Sequence, residues 1–508
     1  MKNLKSKFNT AEFKNSSIGL MSQAISIVLL FISRSVFINT LGVELLGING
    51  TFTSIVNALS LAELGFQSAI VYCLYTPLNK KQYDQVNDII NIIKKVYEGV
   101  ALFIFIASFA ILPFLKFVLK DVEVTNSIYV FFILQSLATS VSYILGYRRT
   151  LLYADQKEYV SKIVDIICNL VFTICKIAVL FLLNNYYIYL ILQIGQVMSS
   201  NAIIYFISSK KYAYLKKDKI NKSLFYKVIA YVKDVFVARI AGYVYSSTDN
   251  IIVSTFIGAT AVGILGNYGL VASNLKTLSS AMLNPLTPII GNILAVENQK
   301  KNKKKLFENY TKIRFIIAIV LVVPMIVLMQ DFITYYAGDK YLLTKKIVWL
   351  FAIDLYIHIV HSVTCDFING EGLFRQERNI EIIGAVMNIV SSVFLAHYIG
   401  LEGVLLGTVI SQVFFWISRS WLVYKNILEL ELKKYYGYVI KNIIYIFYFC
   451  CWYKVSAWIY GKIQVTNILL KIFIGGVGIE CVCAIGVFLI GSLDILLKKG
   501  GHDESNKK

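Results

Sequence analysis

Apolar stretches of about 20 residues recur along the chain from Ile18 to Leu497, and that is the length an α-helix needs to cross roughly 30 Å of hydrocarbon. Inside lipid the backbone must satisfy its own hydrogen bonds, so runs of this length read as helices. Of the 508 residues 57% are hydrophobic and 16% charged, against roughly 25% charged in a globular domain. Polar segments reach only about 25 residues, short of the roughly 50 that a separate soluble core requires. The expectation is an all-α polytopic membrane protein with one membrane domain.

Apolar runs bounded by charge clusters or turn residues number fourteen: 17–37, 47–76, 96–118, 125–146, 160–183, 185–208, 235–257, 262–295, 313–330, 347–368, 379–399, 401–424, 442–459 and 467–494. With both termini cytoplasmic, the inner loops and tails hold 36 of the 50 Lys and Arg, the outer connections hold 6, and 8 lie within spans. That asymmetry is the positive-inside pattern. The net charge of +20 therefore reports topology and attraction to anionic lipid, not a nucleic-acid footprint.

The cysteines (Cys73, Cys168, Cys175, Cys365, Cys450, Cys451, Cys481 and Cys483) lie in apolar runs without C-x-x-C spacing, so neither a disulfide framework nor a zinc site is indicated. Lys2, Lys5, Lys7 and Lys14 precede an apolar run too long for a signal peptide, and that run is expected to be retained as the first span. The inner stretch from Ser208 to Lys233 places Leu224, Phe225, Val228, Ile229 and Val232 among lysines, a pattern that suits a helix lying on the membrane surface. Outer connections such as Asn184-Asn185 and Gly400 are too short to hold a catalytic or binding domain.

The end of the first run reads Leu41-Gly42-Val43-Glu44-Leu45-Leu46-Gly47, and the end of the seventh reads Ile257-Gly258-Ala259-Thr260-Ala261-Val262-Gly263, at an offset of 216 residues. The loop Asp155-Gln156-Lys157-Glu158 resembles Arg375-Gln376-Glu377-Arg378 at an offset of 220. Nearly equal offsets argue for two six-span halves of the same orientation, followed by two extra spans, as in transporters whose substrate sits between lobes. The expected organisation is an N-terminal six-helix lobe at 1–208, an amphipathic linker at 209–234, a C-terminal six-helix lobe at 235–424, and two further spans with a basic tail at 425–508.

An ionisable side chain at mid-bilayer costs from about 2.5 kcal/mol upward, so it either faces a cavity or snorkels. Arg239, Arg314 and Arg419 fall near predicted cytoplasmic ends, where snorkelling is favoured and Arg314→Ala is expected to be mild. Arg34, near the outer end of the first run, is open to either reading. Glu63 and Lys276 fall near mid-span and cannot easily reach water along lipid. Asn49, Thr53, Asn57, Ser60, Glu63 and Gln67 share one helical face, as either a cavity lining or an interhelical hydrogen-bonding seam. Lys276 shares its run with Asn267, Asn274, Thr277, Ser280 and Asn284, and Pro285 and Pro288 can bend that helix. Arg239, Tyr243, Ser246, Ser247, Asn250 and Ser254 form another face, with Asp249 alongside. Asp354, His358 and His361 recur at spacings of four and three, as a proton or cation relay or as an Asp–His pair joining helices. With only four histidines in the chain, no metal site is expected.

No G-x-x-x-x-G-K-[ST], G-x-S-x-G or H-E-x-x-H occurs, so ATP hydrolysis and the common hydrolase chemistries have no motif here. Four stretches carry a family resemblance: Ser33-Arg34-Ser35-Val36-Phe37 through Gly47, Leu59-Ser60-Leu61-Ala62-Glu63-Leu64-Gly65, Tyr153-Ala154-Asp155-Gln156-Lys157-Glu158-Tyr159, and Thr248-Asp249-Asn250-Ile251-Ile252-Val253-Ser254 through Asn267-Tyr268. Between about Lys14 and Tyr424 the chain resembles the Wzx-type polysaccharide-unit flippases of the multidrug/oligosaccharidyl-lipid/polysaccharide (MOP) exporter superfamily.

The resemblance implies a non-enzymatic flippase in the bacterial cytoplasmic membrane. It would move undecaprenyl-diphosphate-linked oligosaccharide repeat units from the inner to the outer leaflet for capsule, exopolysaccharide or O-antigen-like assembly. Its partners would be that lipid-linked saccharide, membrane lipids, and a polysaccharide polymerase or other assembly proteins. Alternating access of two lobes around a cationic cavity is implied, and a diphosphate there requires Arg or Lys partners. Arg34 matches a family position most directly; Lys276, Arg239, Asn57, Asn250 and Asn284 join it as cavity candidates by periodicity. Glu63, Asp249, Asp354 and His358 either pair with those cations or hold a coupling Na+ or H+, and no other cofactor is expected. The competing readings are a multidrug or metabolite cation antiporter of the same superfamily, and a membrane-embedded polysaccharide polymerase or glycosyltransferase, which short outer loops disfavour.

Overall fold

The computed structural model describes residues 10–60, 70, 73–74, 77–78, 80–155, 157–216, 225, 248–283, 286–296 and 299–500. The described elements are helical: α1 Thr10–Leu59, α2 Tyr83–Ile111, α3 Asn126–Ala154, α4 Glu158–Leu183, α5 Tyr186–Lys211, α6 Asp249–Phe256, α7 Ala259–Leu283, α8 Thr287–Val296, α9 Lys300–Tyr336, α10 Lys345–Glu371, α11 Phe374–Ile399, α12 Leu401–Asn426, α13 Leu432–Gly461 and α14 Ile468–Gly500. Among the described residues, 11 helices are long and apolar enough to cross a membrane. The chain is an all-α, multi-pass membrane protein. The chain divides into two compact units, Met1–Gly263 and Ile264–Lys508. The expected surface helix within 209–234 lies outside the described residues apart from 209–216 and Phe225.

In the first unit, α1 is two helices that meet at Gly42, whose φ of 87° and ψ of 168° break the helical path. The predicted first run and the start of the second therefore join through a glycine break. Gly258, its equivalent in the repeat, separates α6 from α7 and also has a positive φ, 144°. Only glycine takes such angles without strain. Beyond each break the backbones approach closely. A methyl on Gly47 would run into the Ala259 carbonyl and one on Gly263 into the Val43 carbonyl. The contact is reciprocal across the 216-residue offset, 43 with 263 and 47 with 259, as small residues allow between membrane helices.

The Asp121 carboxylate secures the start of α7 by accepting from the amides of Ala259 (2.5 Å) and Thr260 (3.1 Å). Burial alone would raise its pKa, but the Thr260 hydroxyl and these amides outweigh that and hold the carboxyl below its ordinary range. Lys120 donates to the last carbonyl of α6, that of Phe256, at 2.8 Å. Opposite charges thus sit at the ends where the two helix dipoles favour them. The other bundle contacts of this unit are α2 with α3, α3 with α5, α1 with α4, and α4 with α5. The two-residue α4–α5 turn forms because Asn184 adopts a left-handed conformation (φ 46°) and the Asn185 side chain caps α5 by accepting from the Ile188 amide at 3.2 Å.

In the second unit, the predicted single bent run at 262–295 is resolved into α7 and α8, on either side of Pro285, which itself lies outside the described residues. Pro288 falls in the first turn of α8, where its missing N–H costs nothing. Lys300, Lys301, Lys303, Lys304 and Lys305 belong to α9, which starts well before the apolar run predicted at 313–330. Arg375, Gln376, Glu377 and Arg378, expected in a loop, are helical residues of α11. The loop was inferred from charge, yet Glu377 and Arg419 pair at 3.1 Å, so the helix can hold these residues.

The packing contacts of this unit join α9 to α10, α10 to α12, α11 to α12 and α8 to α10. A buried cluster including Phe307, Phe367, Tyr424 and Tyr438 joins α9, α10, α12 and α13, with Phe307 edge-on to Phe367 at 5.1 Å. The two extra helices, α13 and α14, pack on α9 and on each other. Asp331 of α9 fixes both, accepting from the Tyr460 hydroxyl at 2.5 Å and from Lys471 at 2.7 Å.

Candidate functional site

Two of the residues singled out by the sequence meet in the second unit. Lys276 of α7 places its Nζ 2.6 Å from Oδ2 of Asp354 on α10, and the other oxygen, Oδ1, accepts from Gln412 of α12 at 3.2 Å. The Asp354 side chain is 12% exposed and that of Lys276 30%. The ion pair of Asp354 is thus with Lys276. His358 stands one turn further along α10, and His361 is buried. Of the alternatives for this row, an Asp–His pair joining helices is replaced by an Asp–Lys pair.

Arg314 and Arg419 do not snorkel. Arg314 is 4% exposed, with its guanidinium paired to Asp366; Asp366 also accepts from Tyr310 at 2.7 Å and Thr287 at 2.8 Å, and Arg314 donates to the Ile359 carbonyl at 3.0 Å. Arg419 contacts Glu377 and Glu381 at 3.1 and 3.2 Å. The physical reason is desolvation: a buried guanidinium is tolerated when carboxylates and carbonyls satisfy its donors. For the same reason Arg314→Ala is now expected to be severe rather than mild. Asp366 is the partner that the sequence reading missed, and its signal is a second acidic position on the helix that already carries Asp354.

In the first unit, Arg34 is half-buried and its Nη2 lies 3.4 Å from the Gly263 carbonyl. Asn250 donates to the Ser54 hydroxyl at 3.0 Å, and Asp249 opens the first turn of α6. Within the predicted polar face, Thr53 and Asn57 are exposed together, whereas Asn49 accepts from the Tyr186 hydroxyl at 3.1 Å and Thr53 from Gln135 at 2.6 Å. That stripe therefore serves interhelical bonding at Asn49 and Thr53 and presents an open polar surface at Asn57. Arg239, Asn284 and Glu63 lie outside the described residues.

A second polar cluster of the first unit was not anticipated. Arg149, assigned to a loop at 147–159, lies inside α3 and forms a two-pronged pair with Asp165 of α4 at 2.7 and 2.8 Å. Ser200 and Asn201 of α5 complete it. A charge count takes Arg149 for a loop residue, and only the facing carboxylate shows why the helix continues past it.

The residues that match the model of the family described as "Polysaccharide biosynthesis protein" are 13–294, more than half of the chain. The chain belongs to the polysaccharide biosynthesis protein family. This is a family of the MOP superfamily, in agreement with the motifs around Gly42, Glu63, Asp155 and Asp249. No relative is found among curated protein sequences. Solved structures with a similar fold include the lipid II flippase MurJ in an inward closed conformation, at 14% identity and a TM-score of 0.68, covering 93% of this chain and 99% of that one. An inward-facing MATE family multidrug resistance transporter of the MOP superfamily matches at 12% identity and a TM-score of 0.60, covering 80% and 97%. The Vibrio cholerae MATE transporter VcmN in its bent form matches at 13% identity and a TM-score of 0.51, covering 83% and 98%. At these identities the likeness establishes the fold of this polysaccharide biosynthesis family member.

Proposed function

We propose that the chain is a flippase of the bacterial cytoplasmic membrane, with both termini cytoplasmic. On this reading it carries undecaprenyl-diphosphate-linked oligosaccharide repeat units from the inner to the outer leaflet for surface polysaccharide assembly. The observation that carries the reading is the family match over residues 13–294. Two structural features support it. Described connections such as Asn184-Asn185 and Gly400 leave no room for an extracellular catalytic domain, and Arg34 puts a cationic group inside an apolar helix. Such a group suits a diphosphate more than an organic cation. Transport by alternating access, with Na+ or H+ as the driving ion, completes the proposal.

An antiporter of organic cations draws support from the MATE-like fold, but it wants an available carboxylate, and Asp354 is already engaged by Lys276 at 2.6 Å. The test is the leaflet location of lipid-linked oligosaccharide in cells depleted of the protein, read with a glycan-specific probe before and after permeabilisation. Accumulation on the cytoplasmic face is the expected result. Normal arrival at the outer face, with polymer still missing, would move the protein to the polymerase or transferase step.

A further inference from the structure

The first unit holds an open cavity of about 510 Å³ among α1, α2, α3, α4 and α5. Its floor is the Arg149–Asp165 pair. The bidentate contact is reinforced by the Ser200 hydroxyl, which donates to Asp165 at 2.6 Å, and by Arg149 Nε, which donates to Asn201 at 2.7 Å. Asn201 is itself anchored to the Ser142 carbonyl at 2.9 Å. Although these helices are apolar enough to span a membrane, the Arg149 and Asp165 side chains remain 29% and 41% exposed, so the space beside them is polar and accessible. A second chain of bonds continues along the wall. Lys176 donates to Gln196 at 2.9 Å and Gln196 to Asn169 at 3.3 Å. Tyr97 and Tyr143 line another side, ring edge against ring face at 5.7 Å.

The chemistry of this lining selects its occupant. Guanidinium and carboxylate cancel each other, so neither a bare diphosphate nor a cation finds an uncompensated partner on the floor. A polyprenyl chain offers no hydrogen bonds and would shut water away from the partly exposed Arg149–Asp165 pair, a desolvation cost that a polar ligand avoids. The Lys176 ammonium stands behind Gln196 and is not among the lining groups; what lines the space around the neutralised pair is amides and hydroxyls beside phenol rings, whose electron-rich faces accept the polarised C–H groups of a pyranose. The volume falls within the roughly 300–1,000 Å³ of small-molecule sites.

We propose that this cavity is a carbohydrate-binding site that receives a glycosyl segment of the lipid-linked substrate. The inference rests on the flippase reading and adds to it a place, within one unit, where the sugar is recognised apart from the diphosphate.

Gly146 supplies the test, because it lines the cavity and a methyl there meets nothing within 4 Å. Gly146→Leu starts its side chain where the first carbon meets nothing within 4 Å and raises helix propensity, and size-exclusion recovery of the purified variant checks that it folds. The full-length protein in phosphatidylglycerol-containing nanodiscs would be titrated with two probes: undecaprenyl diphosphate bearing the repeat unit, extracted from depleted cells, and bare undecaprenyl diphosphate. The wild type is expected to bind the glycosylated lipid more tightly. Gly146→Leu should weaken that binding by about tenfold or more while leaving the bare lipid unchanged, since sites built to hydrogen-bond a ligand lose strongly when those bonds are denied. Asn169→Leu should act in the same direction.

Equal binding of both probes by the wild type would overturn the carbohydrate site and leave the flippase reading standing. Glycan discrimination intact in Gly146→Leu would do the same. A loss of Na+ stimulation in that variant, with discrimination unchanged, would instead make the cavity a cation site. Binding of neither probe would remove the flippase reading and this inference with it.

Discussion

Gly47 and Gly263 lie 216 residues apart and face one another so closely that a methyl on either would come within 3.0 Å of the other's amide nitrogen. The offset equals that of the repeat, so the two copies of one motif pack on each other.

Gly47→Ala and Gly263→Ala should each destabilise the protein by about 1–3 kcal/mol, the usual cost of forcing extra atoms into a packed contact. Gly99→Ala in α2 is the control, because a methyl there meets nothing within 4 Å and the change favours helix. Thermal unfolding in detergent, followed by size-exclusion recovery, checks this. Equal recovery of Gly47→Ala and Gly99→Ala would mean that the helices do not cross here.

Arg314→Ala should be severe. The variant leaves Asp366 buried with only Tyr310 and Thr287 as donors, and breaking one side of a buried pair costs about 3–5 kcal/mol. Arg314→Met combined with Asp366→Asn should recover part of the loss, and a double-mutant cycle on detergent stability measures the coupling. Full stability of Arg314→Ala would return this arginine to a snorkelling position.

The Lys276–Asp354 pair separates a structural role from a substrate-binding one. Lys276→Met alone leaves Asp354 without its ion-pair partner, so the amount of protein in the membrane should fall. Adding Asp354→Asn should restore that amount but not polysaccharide export, if the ammonium also meets the anionic substrate. Export at wild-type level by the double variant would show that Lys276 only holds helices together.

Much of the fold was legible in the sequence because the bilayer imposes a local rule. A run of about 20 apolar residues is helical whatever surrounds it, and the short connections at Asn184-Asn185 and Gly400 are visible as the places where such runs stop. The repeat was legible at Gly42 and Gly258 because a left-handed backbone position demands a residue type. Helix ends rich in charge are not legible: Arg149 and the lysines between 300 and 305 read as loop residues although they are helical.

What the sequence determined by itself is therefore the class of protein and the polypeptide's passage through lipid, with Lys276 and Asp354 among the charges placed inside spans. Only the tertiary structure decided what those charges do. Arg314 has its guanidinium on Asp366, Lys276 on α7 reaches Asp354 on α10, and Arg149 grips Asp165 to form the floor of a cavity. The physical reason is one of range. Helix formation in a membrane depends on neighbours a turn away, whereas the state of a buried charge depends on which distant helix presents the opposite charge within 4 Å.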